Sequence, residues 1–397
     1  MLERTPFGGA ERATNLTLKL LADEGFNLTV VTGIGEVKNM GKVKWVYSPL
    51  LDVPSKLHLW LNLLTPAINQ LDNLIKESDI VYIPRLAYPV IPLAKKYGKK
   101  VVVHLHDYQP MAYCAAAFPS SLKNYNTDLL SDMKVSLQHE LLKTGSIRRA
   151  SICSLAAPLN KLCEPWLSEA DELICVSRKQ RDILESAMPE LSAKLKVVYN
   201  LLPALPVVEK QIGDPTILYL GGDNYDKGFH VFLSASQELL KQGYDVKFLL
   251  TGHFGNAHKM VLEKLNGRFG VAYHLMGRLK YEEVLRLHSI AHALIFPSIW
   301  EEPLPYVVLE AMLAGTIPIA SRVGGVPEIV QGTSAEKMLF APSAANEIVT
   351  HMKSVLYLSK EELVSLGMRL REDISKRLDN EQIKRQLMGI FSFSTFK

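Results

Sequence analysis

Two glutamates, Glu302 and Glu310, are the residues whose spacing first points to chemistry. Pro303 and Pro305 exclude a helix up to that point, because each proline removes a backbone donor and restricts the residue before it. We therefore expect Glu302 in a loop and Glu310 inside a helix that begins at Tyr306. Carboxylates placed in this way accept hydrogen bonds from neutral hydroxyls, such as those of a sugar or a ribose. The alternative is that both are solvated surface charges, since glutamate is mostly exposed.

Two stretches offer places for an anion. The first-turn N–H groups of Tyr306 and Val307 carry the partial positive charge of a helix start, which suits a diphosphate. Gly221-Gly222 follows a predicted strand, and Lys227 stands at the entrance of the next helix. A lysine in that position can offset the negative charge that builds up on a leaving group. Both stretches are therefore predicted to bind phosphate.

Two features of the first half fall where ligands bind. The strand VVVHLH places His104 and His106 on one face, and His106 with Asp107 follows at its carboxyl end, where open α/β sheets bind ligands. We expect His106 rather than His104 to face a ligand, the alternative being a histidine that only caps the sheet edge. Gly8-Gly9, just before a predicted helix, allows close approach to a phosphate or an acceptor, unless it is a simple turn.

These motifs resemble a known family. The string PSIWEEP, followed after six residues by EAMLAG and after eight more by GGVPEIV, resembles the signature of glycosyltransferase family 4. The resemblance implies a retaining enzyme of the GT-B fold that takes a sugar from a nucleotide-diphosphate sugar. It implies that Glu302 contacts the donor sugar, that Glu310 holds the ribose, and that His106, in the string HDY, faces the transferred sugar. It further implies donor or nucleotide contacts for Gly221, Gly222, Lys227, Arg278, Leu279, Tyr306 and Val307, and a glycine-rich acceptor or phosphate loop at Gly8 and Gly9.

The sequence departs from the family pattern at three places. The family loop E-x-F-G reads Glu302-Pro303-Leu304-Pro305 here, so the loop must offer its amides mainly after Pro305. Gly222 stands where the family has the arginine of a cationic clamp, and Arg278 and Arg322 are the local candidates to replace it. The first strand of the first domain, which normally lies upstream of Gly8, is missing. We interpret that loss as a truncated N-terminus, the alternative being a chain that tolerates it.

Predicted strands and helices alternate along most of the chain, which indicates parallel sheets covered by helices. The segment LLPALPVVEKQIGDP, rich in proline, is typical of a linker. We expect an α/β GT-B fold with two Rossmann-like domains whose parallel sheets face a central cleft. The expected acceptor-side domain covers 1–203, the nucleotide-sugar-binding domain covers 204–375, and a C-terminal helix in 376–397 packs back on the first domain. Longer helices are predicted at Leu57–Leu71, Asp128–Leu142 and Ser146–Leu167.

The composition of the chain indicates its broad class of protein. The chain has 397 residues, 48% of them hydrophobic and 22% charged, which is typical of a globular protein of two domains. The excess of four positive charges lies in the first half, where we expect an acidic or membrane-surface partner to dock, unless the surface is simply solvated. No apolar run is long enough to span a membrane, and four scattered cysteines without a C-x-x-C pair favour the reducing cytosol over a zinc site. We expect a cytoplasmic protein with peripheral contact at the inner face of the membrane, and no nucleic-acid partner.

The resemblance implies transfer of a hexose to a hydroxyl of a glycan, polysaccharide or lipid-linked acceptor, with the anomeric configuration retained. The implied catalytic residues are His106, Glu302 and Lys227, and the implied reaction is a front-face substitution without a metal or other cofactor. One alternative is a non-catalytic GT-B scaffold, which the missing arginine and the missing strand favour. The other is a nucleotide-sugar epimerase, which would need an acid–base pair that the sequence does not display.

Overall fold

Every strand pair in the part of the chain that the structure describes is parallel, as the β/α alternation predicts. The structure is a computed structural model that describes residues 2–3, 8–33, 43–117 and 129–392. The chain forms two units, unit 1 with residues 1–201 and 380–397 and unit 2 with residues 202–379.

Unit 1 contains two separate parallel sheets, with strand orders β1-β2-β3 and β4-β5-β6-β7. Its elements up to the end of the second sheet are β1 (Leu2–Glu3), α1 (Gly9–Asp23), β2 (Leu28–Thr32), β3 (Val43–Tyr47), α2 (Lys56–Leu63), α3 (Asp72–Glu77), β4 (Ile80–Ile83), α4 (Ile91–Lys96), β5 (Lys100–Leu105), α5 (Leu129–Thr144), α6 (Ile147–Ala156), α7 (Cys163–Glu169), β6 (Glu172–Cys175), α8 (Arg178–Ala187) and β7 (Leu195–Val197).

Of the first strand, which was expected to be missing, the structure contains two residues. Leu2 lies opposite Val31 and Glu3 opposite Thr32, so β1 pairs with the carboxyl end of β2. Among the described residues, no strand joins β1 or β2 to β4, and the sheet of unit 1 is therefore interrupted at this place.

Prolines break two of the predicted helices. The segment Leu57–Leu71 is helical only to Leu63, and a 3-10 helix over Pro66–Leu71 follows. The segment Ser146–Leu167 becomes α6, a 3-10 helix over Ala157–Leu162 and α7. A proline in the middle of a helix removes a hydrogen bond and clashes with the preceding turn, which explains both breaks. Asp128, the predicted start of another helix, lies outside the described residues.

Unit 2 is built on one six-stranded parallel sheet, with strand order β10-β9-β8-β11-β12-β13. Its elements are β8 (Thr216–Tyr219), α9 (Phe229–Lys241), β9 (Lys247–Thr251), α10 (Asn256–Phe269), β10 (Tyr273–Gly277), α11 (Tyr281–Ile290), β11 (Ala293–Phe296), α12 (Tyr306–Leu313), β12 (Ile317–Ser321), α13 (Val326–Val330), β13 (Leu339–Phe340), α14 (Ala345–Leu356) and α15 (Lys360–Arg377). The central strands β8, β11 and β12 are fully buried, as continuous apolar runs predict.

The last helix, α16 (Asn380–Phe391), belongs to unit 1. The ring of Phe391 meets those of Phe26 and Tyr82 edge-on, with centroids 6.5 and 5.2 Å apart. Lys384 forms an ion pair with Glu24 at 2.6 Å. The C-terminal helix therefore packs on unit 1.

Candidate functional site

Three loops meet at the carboxyl edge of the sheet in unit 2. They follow β8, β11 and β12, which are neighbours in the sheet. The N–H of Ile299 donates to the carbonyl of Asp226 at 3.1 Å, and the N–H of Gly325 donates to the carbonyl of Glu302 at 2.9 Å. The first bond joins the loop of Lys227 to that of Glu302, two residues that lie far apart in the sequence, and the second joins the Glu302 loop to the loop after β12.

The carboxylate of Glu302 is the most heavily bonded group at this edge. Its Oε1 atom accepts from the ammonium of Lys227, from Ser298 Oγ at 3.2 Å and from Trp300 Nε1 at 2.8 Å. The Glu302 side chain is 8% exposed, whereas that of Lys227 is 37% exposed. A buried carboxylate needs such partners, because its desolvation is otherwise unfavourable. Lys227 and Glu302 were assigned different ligands from the sequence, and the structure joins them in one ion pair.

The start of α12 lies beside this pair in the same loop. Pro305 occupies the N-cap position, and the N–H of Val308 donates to its carbonyl at 3.2 Å. The N–H groups of Tyr306 and Val307 therefore precede the first hydrogen bond of the helix. The first-turn amides of a helix and the helix dipole favour an anion.

Glu310 lies one turn farther along α12 and is buried. The hydroxyl of Tyr281 approaches its Oε1 atom at 3.5 Å. Tyr281 begins α11, two residues after Leu279. This contact therefore brings the segment of Arg278 and Leu279, which was predicted to contact the donor or nucleotide, next to the predicted ribose ligand. Leu279 and Val307 also pack against the same apolar cluster. Tyr281 was not predicted from the sequence, since nothing in its local pattern points to Glu310.

Gly222 has a geometry that excludes the arginine of the family clamp. Its φ of +60° is left-handed, and a Cβ atom there would lie 2.8 Å from the carbonyl oxygen of His253. Arg278 and Arg322, the two candidate replacements, are exposed. Among the described residues, neither guanidinium has a hydrogen bond or an ion pair. Their role as replacements stays a prediction.

A second carboxylate, that of Glu301, holds the loop in place. It is buried and accepts a hydrogen bond from the N–H of Gly324. Gly324 has a φ of +49°, and a Cβ atom on it would overlap the carbonyl oxygen of Glu302. The doubled glutamates and glycines were the available sequence signals, but only Glu302 was selected from them.

In unit 1, His104 and His106 share one face, with ring centroids 4.2 Å apart. Tyr82 Oη lies 2.8 Å from His104 Nδ1. Burial lowers the pKa of His104 to about 3, and burial together with His104 and Arg85 lowers the pKa of His106 well below its usual value. His106 is therefore neutral near pH 7 and suited to hydrogen bonding rather than to donating a proton as an acid.

Gly8 and Gly9 lie at the start of α1, where an ion cluster fixes the first turn. Glu11 accepts from Arg85 Nη1 at 2.8 Å, and Arg85 Nε lies 3.6 Å from Asp107. The glycine loop is thereby tied to the residue next to His106. Neither Glu11 nor Arg85 was selected from the sequence, because the cluster depends on the packing of three separate elements.

Two family models match successive parts of the chain. Residues 7–203 match the family model described as Glycosyltransferase Family 4, and residues 206–376 match Glycosyl transferases group 1. A glycogen synthase of Mycobacterium tuberculosis is 29% identical over 172 residues, which are 42% of this chain and 41% of that protein. The chain thus spans about two-fifths of the length of this curated relative.

Two solved structures share the fold over nearly the whole chain. The HepE protein of Anabaena, in complex with UDP and glucose, is 16% identical with a TM-score of 0.66, and the match covers 98% of this chain and 97% of that one. The sucrose-phosphate synthase of Thermosynechococcus elongatus is 17% identical with a TM-score of 0.69, covering 98% and 94%. Both likenesses support the GT-B fold.

We expect Gly324→Ala to destabilise unit 2 and to disorder the Glu302 loop. Gly332→Ala is the matched control, because Gly332 has a φ of +74° but only one atom near its Cβ position, at 3.9 Å. The control should lose about 1–2 kcal/mol from the left-handed backbone alone. Gly324→Ala should lose clearly more, because of the overlap with Glu302, as measured by urea unfolding. Equal losses for the two variants would show that the close approach is unimportant.

Proposed function

Because the chain belongs to the glycosyl transferases group 1, with a first half of glycosyltransferase family 4, we propose that it transfers a hexose from a nucleotide-diphosphate sugar to an acceptor hydroxyl with retention of configuration. The observation that carries this proposal is the buried Glu302 carboxylate, which is paired with Lys227 in front of the start of α12. The acceptor belongs to the glycan, polysaccharide or lipid-linked class.

Donor binding separates the ion pair, because each partner then binds a different part of the donor. The Lys227 ammonium is the more exposed partner, and it turns to the diphosphate together with the first-turn N–H groups of Tyr306 and Val307. Glu302 then accepts hydrogen bonds from sugar hydroxyls, while Glu310 accepts them from the ribose. Positive charge placed at the diphosphate stabilises the leaving group as the glycosidic bond breaks.

Glu302 is poorly suited to be a nucleophile, because Ser298 and Trp300 still donate to its Oε1 atom after Lys227 turns to the diphosphate. We therefore favour a front-face substitution, in which the departing phosphate takes the proton of the acceptor hydroxyl. Neutral His106 contributes a hydrogen bond to the transferred sugar. Lys227 and the helix amides supply the positive charge, so no metal is required in this proposal.

The first experiment measures thermal unfolding with UDP, GDP, ADP or TDP, alone and as sugar conjugates. A ligand at about a hundred times its Kd adds about 2.7 kcal/mol of stability. We expect Lys227→Met and Glu310→Gln to lose this gain. Lys247→Met is the control, since Lys247 is exposed and forms an ion pair with exposed Asp214, at 2.6 Å. The double variant Lys227→Met/Glu302→Gln leaves no unpaired charge, so its loss of binding would reflect the diphosphate contact and not a collapsed loop.

Turnover separates the transferase from its alternatives. UDP-glucose is the first donor to test, because the HepE structure holds UDP and glucose. We expect an α-linked product by NMR, activity unchanged by EDTA, and a loss of at least about 100-fold in kcat for Glu302→Gln. Nucleotide binding without transfer across a panel of acceptors would favour the scaffold, and an epimerised donor would favour the epimerase.

We also propose that unit 1 contacts an anionic membrane through the helical hairpin of α5 and α6. This hairpin exposes large apolar side chains to solvent. The exposed fractions are 76% for Leu130, 55% for Leu142, 64% for Ile147 and 73% for Leu155. Its buried face instead carries polar residues, among them Asp132, Ser136, His139 and Glu140.

The charges of the hairpin favour a negatively charged partner. The acidic residues of 129–156 are both buried, whereas its basic residues, Lys134, Lys143, Arg148 and Arg149, are all exposed. Apolar side chains flanked by basic ones bind the interface of an anionic bilayer. Within the described ranges, no helix has the length and apolarity needed to cross a bilayer. A surface contact is therefore the form of association we propose.

We expect the protein to sediment with vesicles containing phosphatidylglycerol and not with phosphatidylcholine alone, and to be released at high salt. Leu130→Ser/Leu155→Ser should lower the bound fraction by about tenfold or more. Met260→Ser/Val271→Ser is the matched control, because both side chains are exposed in unit 2. Equal effects of the two double variants, or equal binding to neutral vesicles, would contradict the assignment of this surface.

A further inference from the structure

The two carboxylate oxygens of Glu302 have different surroundings. Oε1 accepts from the ammonium of Lys227, from Ser298 Oγ and from Trp300 Nε1. Within the described ranges, no donor contacts Oε2. An ionised carboxylate accepts about four hydrogen bonds over its two oxygens, so this side chain still has acceptor capacity. Oε2 is therefore the oxygen that remains available to a hydroxyl of a ligand.

The side chain of Trp300 contacts both members of the ion pair. Its Nε1 atom lies 2.8 Å from Glu302 Oε1, and the centroid of its ring lies 5.4 Å from Lys227 Nζ. A lysine ammonium within about 6 Å of an indole face is attracted to it. The indole nitrogen is a donor only, so its bond to Oε1 has a fixed direction. Trp300 therefore holds the carboxylate through its N–H and faces the ammonium with its ring.

The hydrogen bond from Trp300 becomes more important when a donor binds. In the proposed complex, the ammonium of Lys227 moves to the diphosphate, which removes one of the three donors from Oε1. Ser298 Oγ lies 3.2 Å from Oε1 and also 3.2 Å from the carbonyl of Asp226. A hydroxyl has a single hydrogen, so it serves one of these acceptors at a time. Without the indole N–H, the buried carboxylate would depend on this shared donor.

We propose that Trp300 is a positioning residue for sugar transfer, which fixes the carboxylate of Glu302 so that Oε2 faces the sugar of the bound donor. This inference rests on the proposed function, because the role of Trp300 begins when Lys227 has moved to the diphosphate. The indole acts through Glu302 and contacts no reacting atom. Its N–H therefore affects the transfer step and not the affinity for the nucleotide.

The variant Trp300→Phe removes the N–H and keeps an aromatic ring beside Lys227. We expect its Kd for UDP to stay within about twofold, because phenylalanine retains the cation–π contact. We expect its kcat with UDP-glucose to fall by about tenfold or more, with little change in KM, because a hydrogen bond to a charged group is lost. Trp45→Phe is the matched control and should change neither quantity. Nε1 of Trp45 is buried and has no hydrogen-bond partner in the described part of the chain.

A double-mutant cycle tests whether Trp300 acts through Glu302. In a protein that already carries Glu302→Ala, the group that Trp300 positions is gone. We therefore expect Trp300→Phe to lower the residual kcat by less than about twofold in that background. A residue that only stabilised the fold would lower kcat by the same factor in both backgrounds, and this result would overturn the proposal.

The outcomes separate this inference from the proposed function. If the unaltered protein transfers sugar and Trp300→Phe transfers it at the same rate, this inference alone is overturned. If Trp300→Phe loses its thermal stabilisation by UDP, the residue supports the loop and not the carboxylate, which also overturns the inference. If the unaltered protein binds no nucleotide or transfers no sugar, the proposed function fails and this inference fails with it.

Discussion

The buried carboxylate of Glu302 is the constraint on which the donor-side structure of unit 2 depends. A carboxylate removed from water must be compensated, and here the donors are Lys227, Ser298 and Trp300. Lys227 comes from the loop after β8, while the other two come from the loop after β11. The hydrogen bonds that compensate this one charge therefore join two loops. The bond from the N–H of Gly325 to the Glu302 carbonyl joins a third loop to them.

This constraint gives physical meaning to the departures from the family pattern. Pro303 and Pro305 remove two N–H groups that a loop of ordinary composition would offer. In this loop, the side chains of Ser298 and Trp300 donate to Glu302. Gly222 cannot carry the family arginine in its left-handed conformation, so Lys227 is the cation that this region provides in direct contact with Glu302. The pairing keeps that cation in place before any donor arrives.

The strands were predictable from the sequence almost to the residue, because buried parallel strands are continuous apolar runs bounded by glycine and proline. Ala293–Phe296 and Ile80–Ile83 are two such apolar runs, and each is observed as a strand. The contacts within the site were less predictable. Pairing of Lys227 with Glu302 requires β8 beside β11, and the local sequence of neither loop specifies strand order. The same reason applies to Arg85, whose two partners lie on separate elements.

The two units differ in the completeness of their sheets. This difference helps to distinguish a loss of sugar transfer from a loss of nucleotide binding. Unit 2 has one continuous sheet of six strands, whereas the sheet of unit 1 is interrupted beside β2. All the residues proposed to hold the nucleotide belong to unit 2, so nucleotide binding reports on that unit alone. A chain that binds nucleotide but transfers no sugar therefore has intact nucleotide-binding loops, and the missing step involves either the sugar contact of Glu302 or unit 1. Decay of the donor site would instead abolish binding itself, because Lys227, Glu302 and Glu310 are held by one set of loops.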